Sequence, residues 1–259
     1  MERDGFSRAA LLQYHYALAM IVQLFPTCLV NEIRPDAGMA VARVLERIGC
    51  EVALPEGLTC CGQPAYNAGF HDEARQVARH AIGVLGATDG PIVVPSGSCC
   101  DMLVHQNVEL FRADTAVAAA AQRVSSRCRE FSQFVAERGG APGGSLPSRV
   151  AYHPSCHLQR GLRVQREPLE LIGGVAGAES IPFDEQYECC GFGGLFSIKN
   201  AEISAAMMDR KLTAIEASGA NRLVSCDLGC LLHLEGGLRR RGAAIAVQHL
   251  AEFLDEAAT

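Results

Sequence analysis

Two stretches decide how this chain is read: CCGQPAYNAG at residues 60–69 and CCGFGGLFSI at residues 189–198. Adjacent cysteines on a helix or a strand point in different directions, whereas in a turn both can face one point. The glycine after each pair permits backbone angles closed to other residues and lets the chain pass close to a bound group. Each triplet also has one cysteine upstream and one downstream. The first set is Cys28, Cys60, Cys61 and Cys99, with intervals of 31 and 37 residues. The second is Cys156, Cys189, Cys190 and Cys230, with intervals of 32 and 39. Two matched four-thiol sets imply a duplicated metal or iron–sulfur site, because tetrahedral thiolate sets suit zinc or iron.

Outward from the triplets, the chain repeats itself. Apolar runs read as strands at 21–25, 51–54 and 91–95. Helical periodicity covers 36–48, where Asp36 is a cap and Gly49 a stop, then 72–86 and 115–138. The second half replays this order with strands at 149–152, 179–183, 222–225 and 245–247. Its helices are read at 165–172, at 200–218, from Cys230 to about 241, and at the end of the chain. PTC pairs with HPSC, and PIVVPSGSC with RLVSCDLGC, at an offset of 128 to 131 residues. Alternating strands and helices predict parallel sheets covered by helices. The fold expected is α/β: two pseudo-twofold-related repeats, each a small, mostly parallel sheet flanked by helices, with the cysteine-bearing loops clustered together. The divisions are an N-terminal extension (1–19), a first repeat (20–140), a linker APGGSLPS (141–148) and a second repeat (149–259).

Composition narrows the function. With 259 residues, 49% of them hydrophobic, the chain can bury an ordinary core. A net charge of −6 argues against a general binder of nucleic acid or anionic membranes. The one basic run, Arg239–Arg241, fits the last turn of a helix, where cations complement the dipole. Twelve cysteines would suggest disulfides in a secreted protein. Here Gln13, Tyr14, His15 and Tyr16 break any apolar export segment, and no stretch has the length needed to span a bilayer. A reduced, cytoplasmic protein is expected, associated with the inner face of the membrane only through partners.

The other chemistry-bearing residues carry weaker signals. Cys50 and Cys128 read as small buried hydrophobes at helix-end or mid-helix positions. Cys100 has Leu231 as its counterpart. Cys226, four residues before Cys230, is a candidate for an extra thiolate. His153 and His157 flank Cys156 where the first copy has Phe25 and Leu29. His153 is a candidate for tuning or ligating a cluster, against the plainer role of a loop hydrogen bond. His71, His80, His105 and His249 follow helix faces and are not read as ligands. The glycine-rich loops lack a Walker lysine or a GxGxxG after a strand, so phosphate binding is a weak reading.

HPSCHLQR, CCGFGGLFSIKNAEIS, PSGSC and CLLHLEGGLRR resemble the cysteine-rich CCG-domain family, over essentially the whole chain from Met20. That family includes a cysteine-rich component of heterodisulfide reductase and the iron–sulfur subunits of glycolate oxidase and anaerobic glycerol-3-phosphate dehydrogenase. The resemblance is nearest to its lactate-utilisation A branch, which lacks a ferredoxin-type domain, and the absence of any CxxCxxC run here agrees with that branch. It implies an iron–sulfur electron-transfer subunit of a complex oxidising L-lactate to pyruvate, not a complete enzyme. The eight paired cysteines would hold one cluster per repeat, of the [4Fe-4S] type, or zinc in one repeat. The partners implied are two sister subunits, one with ferredoxin-type clusters. Three alternatives stand beside this: a heterodisulfide or thiol reductase-type subunit, a glycolate oxidase iron–sulfur component, and a zinc-stapled binding module without enzymatic activity. The heterodisulfide reductase branch ends each repeat in CxxC. Here Ser96 and Asp227 stand three residues before Cys99 and Cys230, so each repeat keeps four clear thiols, with Ser96 and Asp227 as candidate oxygen ligands.

Overall fold

The computed structural model describes residues 20–141 and 143–259; the N-terminal extension lies outside them. Each half of the chain builds a four-stranded, all-parallel sheet. The first contains β1 (Met20–Leu24), β2 (Cys50–Ala53), β3 (Ile92–Val94) and β4 (Cys128–Glu130), in the order β2-β1-β3-β4. The second contains β5 (Ser145–Tyr152), β6 (Ala176–Ser180), β7 (Arg222–Ser225) and β8 (Ala246–His249), in the order β6-β5-β7-β8. The two orders are the same when the strands are counted from the start of each half. Parallel neighbours need helical crossovers, and the inner strands β3 and β7 are short, largely buried apolar runs, whereas the edge strand β6 is mostly exposed.

Two readings from sequence are corrected. The run 115–138 is not one helix. Helix Ala118–Arg127 ends at Cys128, β4 follows, and helix Phe131–Glu137 starts after Glu130. The Glu130 carboxylate accepts hydrogen bonds from the Ser132 and Gln133 backbone N–H groups and so caps the new helix. Cys128 is therefore the first residue of a buried strand, and Cys50 likewise opens β2. In addition, β5 begins at Ser145, inside the segment read as linker, because its outer residues pair with β6 from Ser145↔Ala176 onward.

The halves are joined through a reciprocal pair of helix contacts. Helix Pro35–Arg47 of the first half packs on the terminal helix Leu250–Ala257. Helix Arg166–Gly173 of the second packs on Phe131–Glu137. Val41, Leu45, Phe131, Phe134, Ile172, Leu250 and Phe253 belong to one continuous buried cluster across this seam. Burying side chains of this size stabilises by about 1.5–3 kcal/mol each. Arg43 and Arg47 both pair with Asp255 across the seam, at 2.5 and 2.6 Å. Helices His71–Gly86 and Ala201–Ala217 cover the far face of each sheet, each with its own core. Helix Leu228–Arg241 ends on Arg239–Arg241, as the dipole argument requires, and Arg241 pairs with Asp209 and Glu216.

Candidate metal centres

Every one of the eight paired cysteines follows the C-terminal end of a strand. Cys28 comes after β1, Cys60 and Cys61 after β2, and Cys99 after β3. Cys156, Cys189 with Cys190, and Cys230 follow β5, β6 and β7 in the same way. This is where parallel α/β sheets place their sites. All eight line one cavity of about 240 Å³, to which both halves contribute.

Local structure aims each thiol. Thr27, at φ 64°, turns the chain into helix Cys28–Ile33 and accepts a hydrogen bond from the Val30 N–H. A β-branched residue at positive φ is strained, and here the strain is stored beside Cys28. Ser96 caps the helix carrying Cys99 through the Cys99 N–H. Gly62 and Gly191 sit at φ 93° and 90°, and their N–H groups point at Cys60 Sγ and Cys189 Sγ at 3.5 and 3.4 Å. A Cβ at Gly191 would lie 2.6 Å from the Ser204 carbonyl oxygen, so the turn cannot carry a side chain. The Ser204 hydroxyl donates to the Gly191 carbonyl at 2.8 Å and ties the second triplet to helix Ala201–Ala217.

Within each set the thiols act on one another in order: Cys60 is influenced by Cys28 and Cys61, and Cys61 by Cys99; in the second set Cys189 is influenced by Cys156 and Cys190, and Cys190 by Cys230. Hydrogen bonds from Cys28 and Cys61, with the Gly62 N–H, hold the Cys60 thiol far below its ordinary range. Cys156, Cys190 and Gly191 do the same for Cys189. The neighbours Cys28, Cys61, Cys156 and Cys190 are pushed up, first by the hydrogen bonds that they give to that thiolate. Metal binding must displace the protons that these four neighbours hold. The donor set fits a metal centre: soft sulfur ligands, backbone N–H groups directed at sulfur, and no disulfide among the described cysteines.

The remaining candidates divide. Ser96 and Asp227 line the cavity but face one another: the Ser96 hydroxyl donates to Asp227 Oδ2 at 3.4 Å, and the Ser98 N–H donates to the same oxygen at 2.9 Å. Cys226 is not brought to the set. It is fully buried beneath β7, with Sγ 3.6 Å from the Tyr152 hydroxyl, and burial pushes its thiol up. His153 is fully buried, and neither ring nitrogen has a hydrogen-bond partner. Among the described residues, His153, Cys190 and Cys230 form the one group of three metal-ligating side chains whose ligand atoms lie mutually within 4.8 Å. Burial holds the imidazole neutral, with its pKa down at about 3. His157 lines the cavity and is held by Asp101 through Nδ1 at 2.8 Å, which raises its pKa.

Sequence reasoning missed two residues. Lys211 is buried on helix Ala201–Ala217, donating to the Glu185 and Gln186 carbonyls, and its charge faces the second thiol set. Its signal was a lysine on the apolar face of that helix. Asp101 was the other, visible only once His157 folds against it.

Comparison with known proteins agrees with this architecture. A family model described as the cysteine-rich domain, CCG, matches residues 22–104 and 150–235. Lactate utilization protein A of Geobacillus sp. (strain WCH70) is 41% identical over 238 residues, covering 91% of this chain and 99% of that protein. The protein of the same name from Exiguobacterium sp. (strain ATCC BAA-1283 / AT1b) is 39% identical over 238 residues, covering 91% and 97%. Among solved structures, a hypothetical protein from Helicobacter pylori superposes with a TM-score of 0.67 at 9% identity, covering 98% of this chain and 55% of that one, a likeness of fold alone. The paired triplets, the twin parallel sheets and these relatives together place the chain in the CCG cysteine-rich domain family, and within it among the lactate utilization A proteins.

Proposed function

We propose that this chain is an iron–sulfur electron-transfer subunit of a system that oxidises L-lactate to pyruvate, with one cluster held by each thiol set. The observation that carries the reading is that two matched sets of four thiols line one cavity, with backbone N–H groups directed at their sulfurs. Four-thiolate sets with N–H donors to sulfur suit iron–sulfur clusters. The thiols would hold iron, and the N–H groups of Gly62, Gly191 and Phe192, directed at sulfur, would tune its potential. The names of the relatives support lactate as the fuel, and the shared cavity supports electron passage between two neighbouring centres. Sister subunits of the same system would supply the lactate-oxidising site and the onward carrier. No described helix is long and apolar enough to cross a membrane, so membrane contact would come through those partners.

The test is iron, zinc and acid-labile sulfide analysis of protein purified without oxygen. About four to eight irons with matching sulfide are expected. Zinc without sulfide would overturn the redox reading. Bleaching of the cluster absorption by L-lactate, in the presence of the sister subunits, then separates a lactate system from one driven by glycolate.

A further inference from the structure

The two thiol sets are built alike, but their surroundings are not. The buried face of helix His71–Gly86 carries Ala74, Ala78, Ala81, Ile82 and Leu85. The matching face of helix Ala201–Ala217 carries Ser204, Met208, Lys211, Leu212 and Ile215, all at an offset of 130 residues. Buried Ala81 is thus replaced by buried Lys211. Three residues before the first cysteine of each set, buried Phe25 is replaced by buried His153. At these two matched positions the first half offers hydrocarbon, whereas the second offers an imidazole and an ammonium.

His153 is the sharper of these differences. A buried polar group without a partner costs about 1–3 kcal/mol, so an imidazole with both nitrogens unpartnered is retained for something that it binds. Its backbone is fixed from two sides: the His153 N–H donates to the Val224 carbonyl at 2.8 Å, and the Ser225 hydroxyl donates to the His153 carbonyl at 2.7 Å. Its ring cannot reach solvent. Its ligand atom and the sulfurs of Cys190 and Cys230 already lie within 4.8 Å of one another. Phe25 offers no lone pair at the matching place in the first set.

We propose that His153 is a metal ligand of the second centre, making it a mixed imidazole–thiolate site that is chemically distinct from the all-thiolate first centre. This rests on reading the thiol sets as metal centres. The imidazole adds a neutral donor beside the thiolates, and Lys211 adds a positive charge nearby. That charge favours the reduced form and sets the second centre's potential above the first.

The test uses protein labelled with 15N-histidine, loaded without oxygen with iron and sulfide. C60S isolates the second centre and C189S the first. Pulsed EPR of C60S is expected to show a strongly coupled histidine nitrogen that is missing in C189S and lost in H153F, a substitution that copies Phe25. H153Q serves if H153F does not fold. A loaded second centre with no histidine nitrogen coupling overturns the proposal, and so does coupling that survives in the His153 variant. Absence of iron and sulfide in every variant would sink the iron–sulfur reading instead. Zinc-loaded C60S protein then decides the ligand by X-ray absorption: a nitrogen at about 2.0–2.1 Å beside sulfurs at about 2.3 Å supports it, and sulfur alone overturns it.

Discussion

Asp227 caps a helix that is not its own: its carboxylate accepts the Ser98 N–H at 2.9 Å, in the other half of the molecule. It stands at the N-terminus of helix Leu228–Arg241 yet makes no side-chain bond there. Its counterpart Ser96 caps its own helix in the ordinary way. Removing a capping side chain costs about 1 kcal/mol. D227A should lower the unfolding free energy by about 1 kcal/mol, seen as a lower urea midpoint, while leaving the iron content of the second centre unchanged. An unshifted midpoint would show the contact to be idle, and loss of iron would make Asp227 an oxygen ligand.

Cys226 and Cys189 provide a matched pair of tests. Cys226 Sγ faces Tyr152 under β7, away from the cavity, so C226S should retain full metal. C189S should lose the metal of one centre, about half the total. Iron and sulfide counts on the two variants check this. Equal loss in both would return Cys226 to the ligand set.

Two buried helix caps give stability opposite pH dependences. Burial pushes the Glu130 carboxyl up to about 7 from 4.5. The folded form holds a proton that the unfolded chain releases, so this contribution is greatest below pH 4.5 and is lost as pH rises through about 7. Burial lowers His249 to about 4 from 6.5, so its contribution is present above pH 6.5 and is lost as pH falls through about 4. A shift of this size corresponds to roughly 3–4 kcal/mol for a fully buried group. In urea titrations from pH 4 to 8, E130Q should remove a loss of stability between about pH 4.5 and 7, and H249N a gain between about pH 4 and 6.5. Each keeps a capping acceptor. A wild-type profile unchanged in either variant would refute the corresponding assignment.

The two triplet glycines should differ in tolerance. Both hold left-handed backbone, which costs a residue with a Cβ about 1–2 kcal/mol. At Gly62 the nearest backbone atom to an added Cβ is the Ala74 oxygen at 3.2 Å; at Gly191 it is the Ser204 oxygen at 2.6 Å. G62A should cost about that much and keep its metal. G191A should cost more and empty the second centre alone. Thermal melts with metal analysis check the order, and equal effects would mean that the second turn yields freely.

Patterns local in sequence were legible. The spacing of the eight cysteines, the strand–helix alternation and the clustering of the loops could be read from composition and period. Features made by distant contacts could not. β4 is three residues long and sits inside a run of helical periodicity, and only pairing with β3 makes it a strand. Ser145 to Ser148 carry turn-forming residues and become strand because β6 lies beside them. Asp227 gives no sign in sequence that its carboxylate belongs to a helix 129 residues earlier. His153 was visible as a histidine where the first copy has phenylalanine, but its missing partners appear only when the chain closes over it.

The seam of the molecule has a history written into it. Helix Pro35–Arg47 meets Leu250–Ala257 just as Arg166–Gly173 meets Phe131–Glu137, each half offering the other the same two surfaces. That is the self-complementary geometry of a symmetric homodimer. A lone ancestral copy could have closed on its twin through these faces, but every substitution would then have struck both thiol sets at once. Fusion into one chain lifts that constraint. The halves can then differ, one carrying Phe25 and Ala81 where the other carries His153 and Lys211, so a pair of identical sites becomes a pair with direction.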